Sequence, residues 1–298
     1  MSEDKLNLDE TSLSVDLSDA TQAVKENRFE DALKLLKIIL KDHPSNIDTL
    51  YLAAVSSRYL RQFDESKKYI EGLLLNAPDM GRAYQELGHL NRDMGDEDKA
   101  IRHYRQACEH NPALVASWNA LYQYFLKDQN QPAADHALKQ LDILKSLPGS
   151  LLYIHQVFSE GRLGLAERKC RAFLKENPTH TYAMSLLSDI ANRLGYFDDA
   201  EFLLEKAVEF KPNDGDLRLK YTSILRKKQK FAKTMEQVNL LCDQYPDNQV
   251  YKAHKASEIM QNGGHEEAIT ILEDILEKNP YNFSSQTAKG HAQKTLGK

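Results

Sequence analysis

Proline recurs at positions 44, 78 and 112, and again at 178, 212, 246 and 280, with 34 residues between neighbours inside each run. Proline has no N–H to offer a helix and its ring clashes with the turn before it, so each one closes a helical segment. A period of 34 residues accommodates two short antiparallel helices and their turns. The gap of 66 residues from Pro112 to Pro178 hides one further, slightly short period, with Pro148 displaced to its loop. Eight closed units follow, and a ninth begins.

The stretch from Gly81 to Pro112 displays the unit most clearly. Tyr84, Leu87, Gly88, Ala100, Tyr104 and Pro112 follow the order aromatic, Leu-Gly, Ala, aromatic, closing Pro. At these residues the chain resembles the tetratricopeptide repeat (TPR) family. The resemblance implies an all-α, right-handed superhelical solenoid of antiparallel helix pairs, with about eight full repeats plus a final helix. Gly88 and Ala100 are then the small contacts that let the two helices of a unit approach, and Gly95 is the turn between them. A length of 298 residues suggests about two domains, but a repeat array is one elongated body in which each unit touches only its neighbours.

Residues 1–12 read as an acidic, disordered lead-in, and 13–298 as a single solenoid with repeats near 13–46, 47–80, 81–114, 115–146, 147–180, 181–214, 215–248, 249–282 and a partial 283–298. Leu13, Leu17, Ala20 and Val24 mark the first helix. Trp118 takes the large aromatic position of repeat four and is expected in the core, with Leu121, Phe125, Ala134, Leu138 and Leu141 continuing the pattern. Repeat five is irregular, because Leu147-Pro-Gly-Ser-Leu-Leu replaces the usual turn. This either divides the array into halves, 13–146 and 147–298, or is a variation of one loop.

The formal charge of −5 resides wholly in residues 1–20, leaving 38 basic and 38 acidic side chains in the remainder. A balanced body argues against a nucleic-acid or membrane binder, which needs a basic stripe. The opening Met-Ser-Glu-Asp-Lys is acidic where a targeting signal is basic, and no apolar run approaches the roughly 20 residues of a membrane span. The expectation is a cytoplasmic protein. Cys108, Cys170 and Cys242 are odd in number, show no paired spacing, and read as packing residues of second helices.

The segment Gly290-His-Ala-Gln-Lys-Thr-Leu-Gly297 places a small residue and a turn where a ninth repeat needs them. Arriving after units of the Leu186–Gly195 type, it is similar to the N-terminal region of bacterial TPR-containing sulfotransferases. That resemblance implies a recruiting arm ahead of a C-terminal catalytic domain, and so a chain that is the leading part of a longer protein. A cut face at its end is also where a homodimer is expected to form.

No catalytic, cofactor-binding or metal-binding residues are expected, and no enzyme activity of these residues. Gly161-x-x-Gly164 and Gly263-Gly264 lack the preceding strand of a phosphate loop, and there is neither a His-Glu-x-x-His helix nor a Cys-x-x-Cys pair. His103 and His110 lack a third ligand, and Asp96-Glu97-Asp98 and Glu266-Glu267 stand where acids oppose the dipole of a starting helix.

What such an array does is bind. In the TPR family the first helix of each unit lines the inner groove, which here assigns Arg82, Gln85, His89 and Arg92 of repeat three beside Asn119, Gln123 and Lys127 of repeat four. Repeat six adds Tyr182, Asp189 and Arg193, and repeat seven Arg226 and Lys227. A polar groove with a mild basic lean suits a protein or extended peptide held through its backbone and its carboxylates. The carboxylate clamp known in the family is not matched by His89, Ala120 and Ser150. An asparagine ladder is missing too, since Leu52, Glu86, Ala120, Leu152, Leu186, Lys220 and His254 stand at its rung.

Overall fold

The computed structural model describes residues 17–297, and within them all regular structure is helical. The acidic lead-in and Leu13 lie outside the described residues. The structure divides after Arg162 into two compact units.

In the first unit, α1 (17–25) pairs with α2 (Phe29–Asp42), α3 (Ile47–Tyr59) with α4 (Phe63–Asn76), α5 (Gly81–Asp93) with α6 (Glu97–His110), and α7 (Val115–Lys127) with α8 (Gln131–Lys145), before α9 (Gly149–Ser159). The second unit opens with α10 (Leu163–Glu176). It continues with the pairs α11 (Thr181–Leu194) and α12 (Phe197–Phe210), α13 (Gly215–Lys227) and α14 (Phe231–Gln244), and α15 (Gln249–Gln261) and α16 (His265–Lys278), then α17 (Phe283–Thr295). These are the antiparallel helix pairs that the proline period requires.

The proline effect is visible residue by residue. His43, Ala77, Asn111, Lys211, Tyr245 and Asn279 each precede a proline and each leave the helical conformation. The ring of a following proline disfavours helical geometry at the residue before it. Every one of them still donates its N–H to the carbonyl four residues back, as His43 does to Ile39 at 2.8 Å, so the last turn closes without a loose donor. The next helix then starts on a side-chain cap in several units: Asn46 accepts from Thr49 N, Asp214 from Leu217 N and Asn282 from Ser285 N.

After the first helix of each pair, and after α9 and α17, the chain passes through one left-handed residue. Those residues are Asn27, Arg61, Gly95, Gln129, Gly161, Gly195, Gln229, Gly263 and Gly297, with φ between +54° and +86°. The helices also need close approach at one point in repeat three. A methyl group on Gly88 would lie 2.6 Å from the Tyr104 ring carbons, and Ala100 and Tyr104 are fully buried beside it.

Each core is a series of small clusters bridging neighbouring pairs. Leu50, Ala54, Ile70, Leu73, Ala83 and Leu90 join α3, α4 and α5, while Ala200, Leu204, Leu217, Tyr221 and Leu225 join α12 and α13. Burying such surface is worth about 25 cal/mol per Å², so every pair depends on its neighbour for most of its stability. Two expectations need correction. Trp118 is only half-buried at the edge of its cluster, because its indole N–H turns outward to the Pro112 carbonyl at 2.8 Å. Leu138 is exposed, and Ala137 takes the inward position with Leu141.

Candidate functional site

The first helices of adjacent pairs meet along polar faces, and ion pairs between helices organise them. In the first unit, Arg58 of α3 reaches two carboxylates of α5, its Nε 2.5 Å from Glu86 Oε1 and its Nη1 2.8 Å from Asp93 Oδ2. Burial alone would depress the Arg58 guanidinium, but Glu86 and Asp93 outweigh it and hold it above its ordinary value. Burial raises the Glu86 carboxyl, with Arg58 offsetting only part of the effect. Asp93 is less deeply placed; burial pushes it up, yet bonds from Arg58 and Arg92 hold it below the usual range.

Of the residues assigned to the groove from sequence in this unit, Arg92 and His89 lie beside this pair, and Gln85, Arg82, Asn119 and Gln123 have other surroundings. Arg92 is exposed and forks onto Asp93 Oδ1 through Nε at 3.1 Å and Nη2 at 3.0 Å. Gln85 accepts from the Ser117 hydroxyl of α7 at 3.0 Å. His89 is half-buried, its Nδ1 2.6 Å from the Tyr104 hydroxyl. Burial, reinforced by Arg58 and Arg92, lowers its imidazole to about 4, so it stands neutral at physiological pH. Asn119 and Gln123 are exposed, one helical turn apart on α7. Arg82 is drawn inward, with its guanidinium 4.5 Å from the Tyr51 ring centre and its Nε 2.5 Å from Glu160 Oε1.

The second unit repeats the theme with its own partners. Asp189 of α11 accepts from Lys220 of α13 at 2.6 Å, and Lys220 also reaches the Ser185 hydroxyl at 3.0 Å. Arg226 pairs with the buried Glu258 of α15. Lys227 is exposed and donates to Asn192 Oδ1 at 2.8 Å. Burial pushes the Tyr182 hydroxyl up to about 12, and Arg193 is exposed at the end of the same helix. Nearby, Glu201 accepts from both Lys228 and Lys230, an acid clasped by two ammonium groups of the next repeat.

The electrostatic result differs from the sequence expectation in degree. Arg82, Arg226 and Lys220 are each matched by a carboxylate of a neighbouring helix, so the basic lean is largely neutralised internally. Sequence reasoning missed Arg58, Glu86, Tyr51, Glu160 and Glu258. One signal was there to find: Arg58 stands one 34-residue period before Arg92. Glu86 and Lys220 occupy the rung where an asparagine ladder would run, and both make ion pairs to the preceding first helix instead.

Among the described residues no cluster of His, Cys, Asp and Glu is placed to hold a metal ion. His103 faces Asn91, while His110 stacks on Tyr84 at 4.9 Å, so the two histidines serve different neighbours. No described helix is long and apolar enough to cross a membrane.

The family model of the tetratricopeptide repeat matches residues 81–114 and 182–214. None of the curated proteins matches the sequence. Among solved structures the chain is similar to one in the APC/C hetero-tetramer Cut9–Hcn1, at 17% identity over 98% of this chain and 60% of that one, with a TM-score of 0.41. It is similar to one in Naa15/Naa10 bound to HypK-THB, at 17% identity over 92% and 43%, TM-score 0.40. A tetratricopeptide repeat protein from Parabacteroides merdae ATCC 43184 follows, at 15% identity over 95% and 99%, TM-score 0.39. The chain therefore spans less than two thirds of the first two proteins.

Proposed function

We propose that this chain, whose helix pairs are tetratricopeptide repeats, is a cytoplasmic protein-binding scaffold that takes an extended peptide along the polar faces of its first helices. The observation that carries this reading is the exposure of Arg92, Asn119 and Gln123, three polar side chains on the adjacent first helices α5 and α7. Exposed amides one turn apart can donate to and accept from the backbone of an extended chain, as a sheet edge would. The Arg92 guanidinium, bonded to Asp93 through Nε and Nη2, presents its remaining Nη1 donors to a peptide carboxylate. Because Arg82, Arg92, Lys220 and Arg226 each already face a carboxylate, selectivity rests on hydrogen bonding more than on net charge.

The test is capture of partners from a cytoplasmic lysate on the immobilised full chain, beside a variant carrying Arg92→Ala, Asn119→Ala and Gln123→Ala. These positions are exposed, so the variant should melt with the native protein. A partner held by the native chain and lost from the variant supports the reading; equal capture by both sinks it.

A further inference from the structure

Glu160 makes an unusual contact for a residue at the end of a helix. It caps α9, its side chain is 10% exposed, and its Oε1 lies 2.5 Å from Nε of Arg82 in the first turn of α5. Arg82 rests its guanidinium on the Tyr51 ring of α3, with Asp48 Oδ1 3.5 Å from Nη2. The α9 end is thereby tied to the starts of two first helices, on the face where the preceding repeats present their polar side chains.

The tie is poorly made. Arg82 Nε and Glu160 Oε1 are both buried, and neither has a hydrogen-bond partner. The two charges are close without the alignment that makes a guanidinium–carboxylate pair strong, two parallel N–H to oxygen bonds. A buried pair that lacks those bonds recovers little of its desolvation cost. Meanwhile an arginine held over an aromatic ring has its planar guanidinium anchored, with edge donors ready for a carboxylate.

We propose that Arg82 and Tyr51 form a carboxylate seat that the chain fills with its own Glu160, and that an acidic peptide takes over the seat by displacing Glu160. Filling the seat and releasing the end of α9 are then one event. Asp48 screens the guanidinium from its remaining side, so an incoming acid gains only by replacing Glu160. The proposal rests on the peptide-binding reading above for its class of ligand, but it uses different residues. The lysate capture can fail with the seat intact, and the seat can fail with the capture intact.

The test uses the full chain and a fluorescein-labelled hexaglutamate peptide followed by fluorescence polarisation. A seat occupied internally about nine times in ten lowers apparent affinity about tenfold. Glu160→Gln, which keeps the shape and removes the charge, should therefore bind the peptide about tenfold more tightly than the native chain. Adding Arg82→Gln should abolish the gain. Glu160→Asp, which keeps the charge but shortens the reach, should give a gain of the same direction and serves where the first variant melts early. Hydrogen exchange of amides 154–160 should quicken on adding hexaglutamate to the native protein. No gain in Glu160→Gln, a gain that survives Arg82→Gln, no binding by any variant, or unchanged exchange would each overturn the seat.

Discussion

Arg58 and Glu86 bring opposite charges to 2.5 Å with side chains only 7% and 3% exposed, one from each of two successive first helices. Removing one partner of such a pair strands a buried charge, which typically costs 3–5 kcal/mol. Arg58→Met should therefore destabilise the first unit by roughly 3 kcal/mol. The double variant Arg58→Met, Glu86→Leu should recover most of that loss. Urea melts of the native protein, Arg58→Met, Glu86→Leu and the double variant give the coupling directly; additive losses would show that the pair does not act as one.

The His89 ring sets a pH dependence. Its folded value near 4 lies below its ordinary 6.5, so the unfolded chain takes up a proton that the folded protein refuses. Its contribution is fully present above pH 6.5 and is lost as pH falls from 6.5 towards 4, by roughly 3 kcal/mol in all. The lowered carboxylates of Asp93 and Glu201 lose their contributions as pH falls below their ordinary values of 3.8 and 4.5, and the raised Glu86 acts in the opposite direction. Melts between pH 7 and 4 should show a slope in the native protein that His89→Gln reduces, with the burial-lowered His103 and His254 supplying the remainder.

Two glycines in first helices should respond with opposite signs. Gly88→Ala forces a methyl group into the Tyr104 ring and should cost about 2 kcal/mol. Gly290→Ala on α17 meets nothing and should gain up to about 1 kcal/mol from helix propensity. Thermal melts read both.

The thiols should react in a fixed order. Burial pushes Cys108 and Cys170 up to about 12, and Cys170 also donates to the Ala183 carbonyl. Cys242 is raised as well but is only partly buried. An aromatic disulfide reagent at pH 8 should label Cys242 first and reach the other two only on unfolding; early labelling of Cys108 would contradict the packing of α6.

The proline ladder made the helix pairs readable because a missing N–H acts locally, on the residue before and the turn behind. The polar faces were readable as faces, since position along a helix decides which side chains share a side. Their pairing was not. Arg58 finds Glu86 across 28 residues and Arg82 finds Glu160 across a longer stretch, and such distances depend on how repeats stack, which no single repeat encodes. Trp118 misled for a related reason: a large aromatic at a core position still turns outward when its N–H needs a carbonyl.

The reversals inside the repeats carry a last consequence. Glycine occupies five of the nine left-handed positions, while Asn27, Arg61, Gln129 and Gln229 hold the same conformation with a side chain attached. Outside glycine and asparagine that geometry costs about 1–2 kcal/mol per residue. Three turns thus hold an unspent thermal reserve, each confined to its own repeat and open to release by a single codon change to glycine. The array can drift in robustness one turn at a time, without touching the polar faces of its first helices.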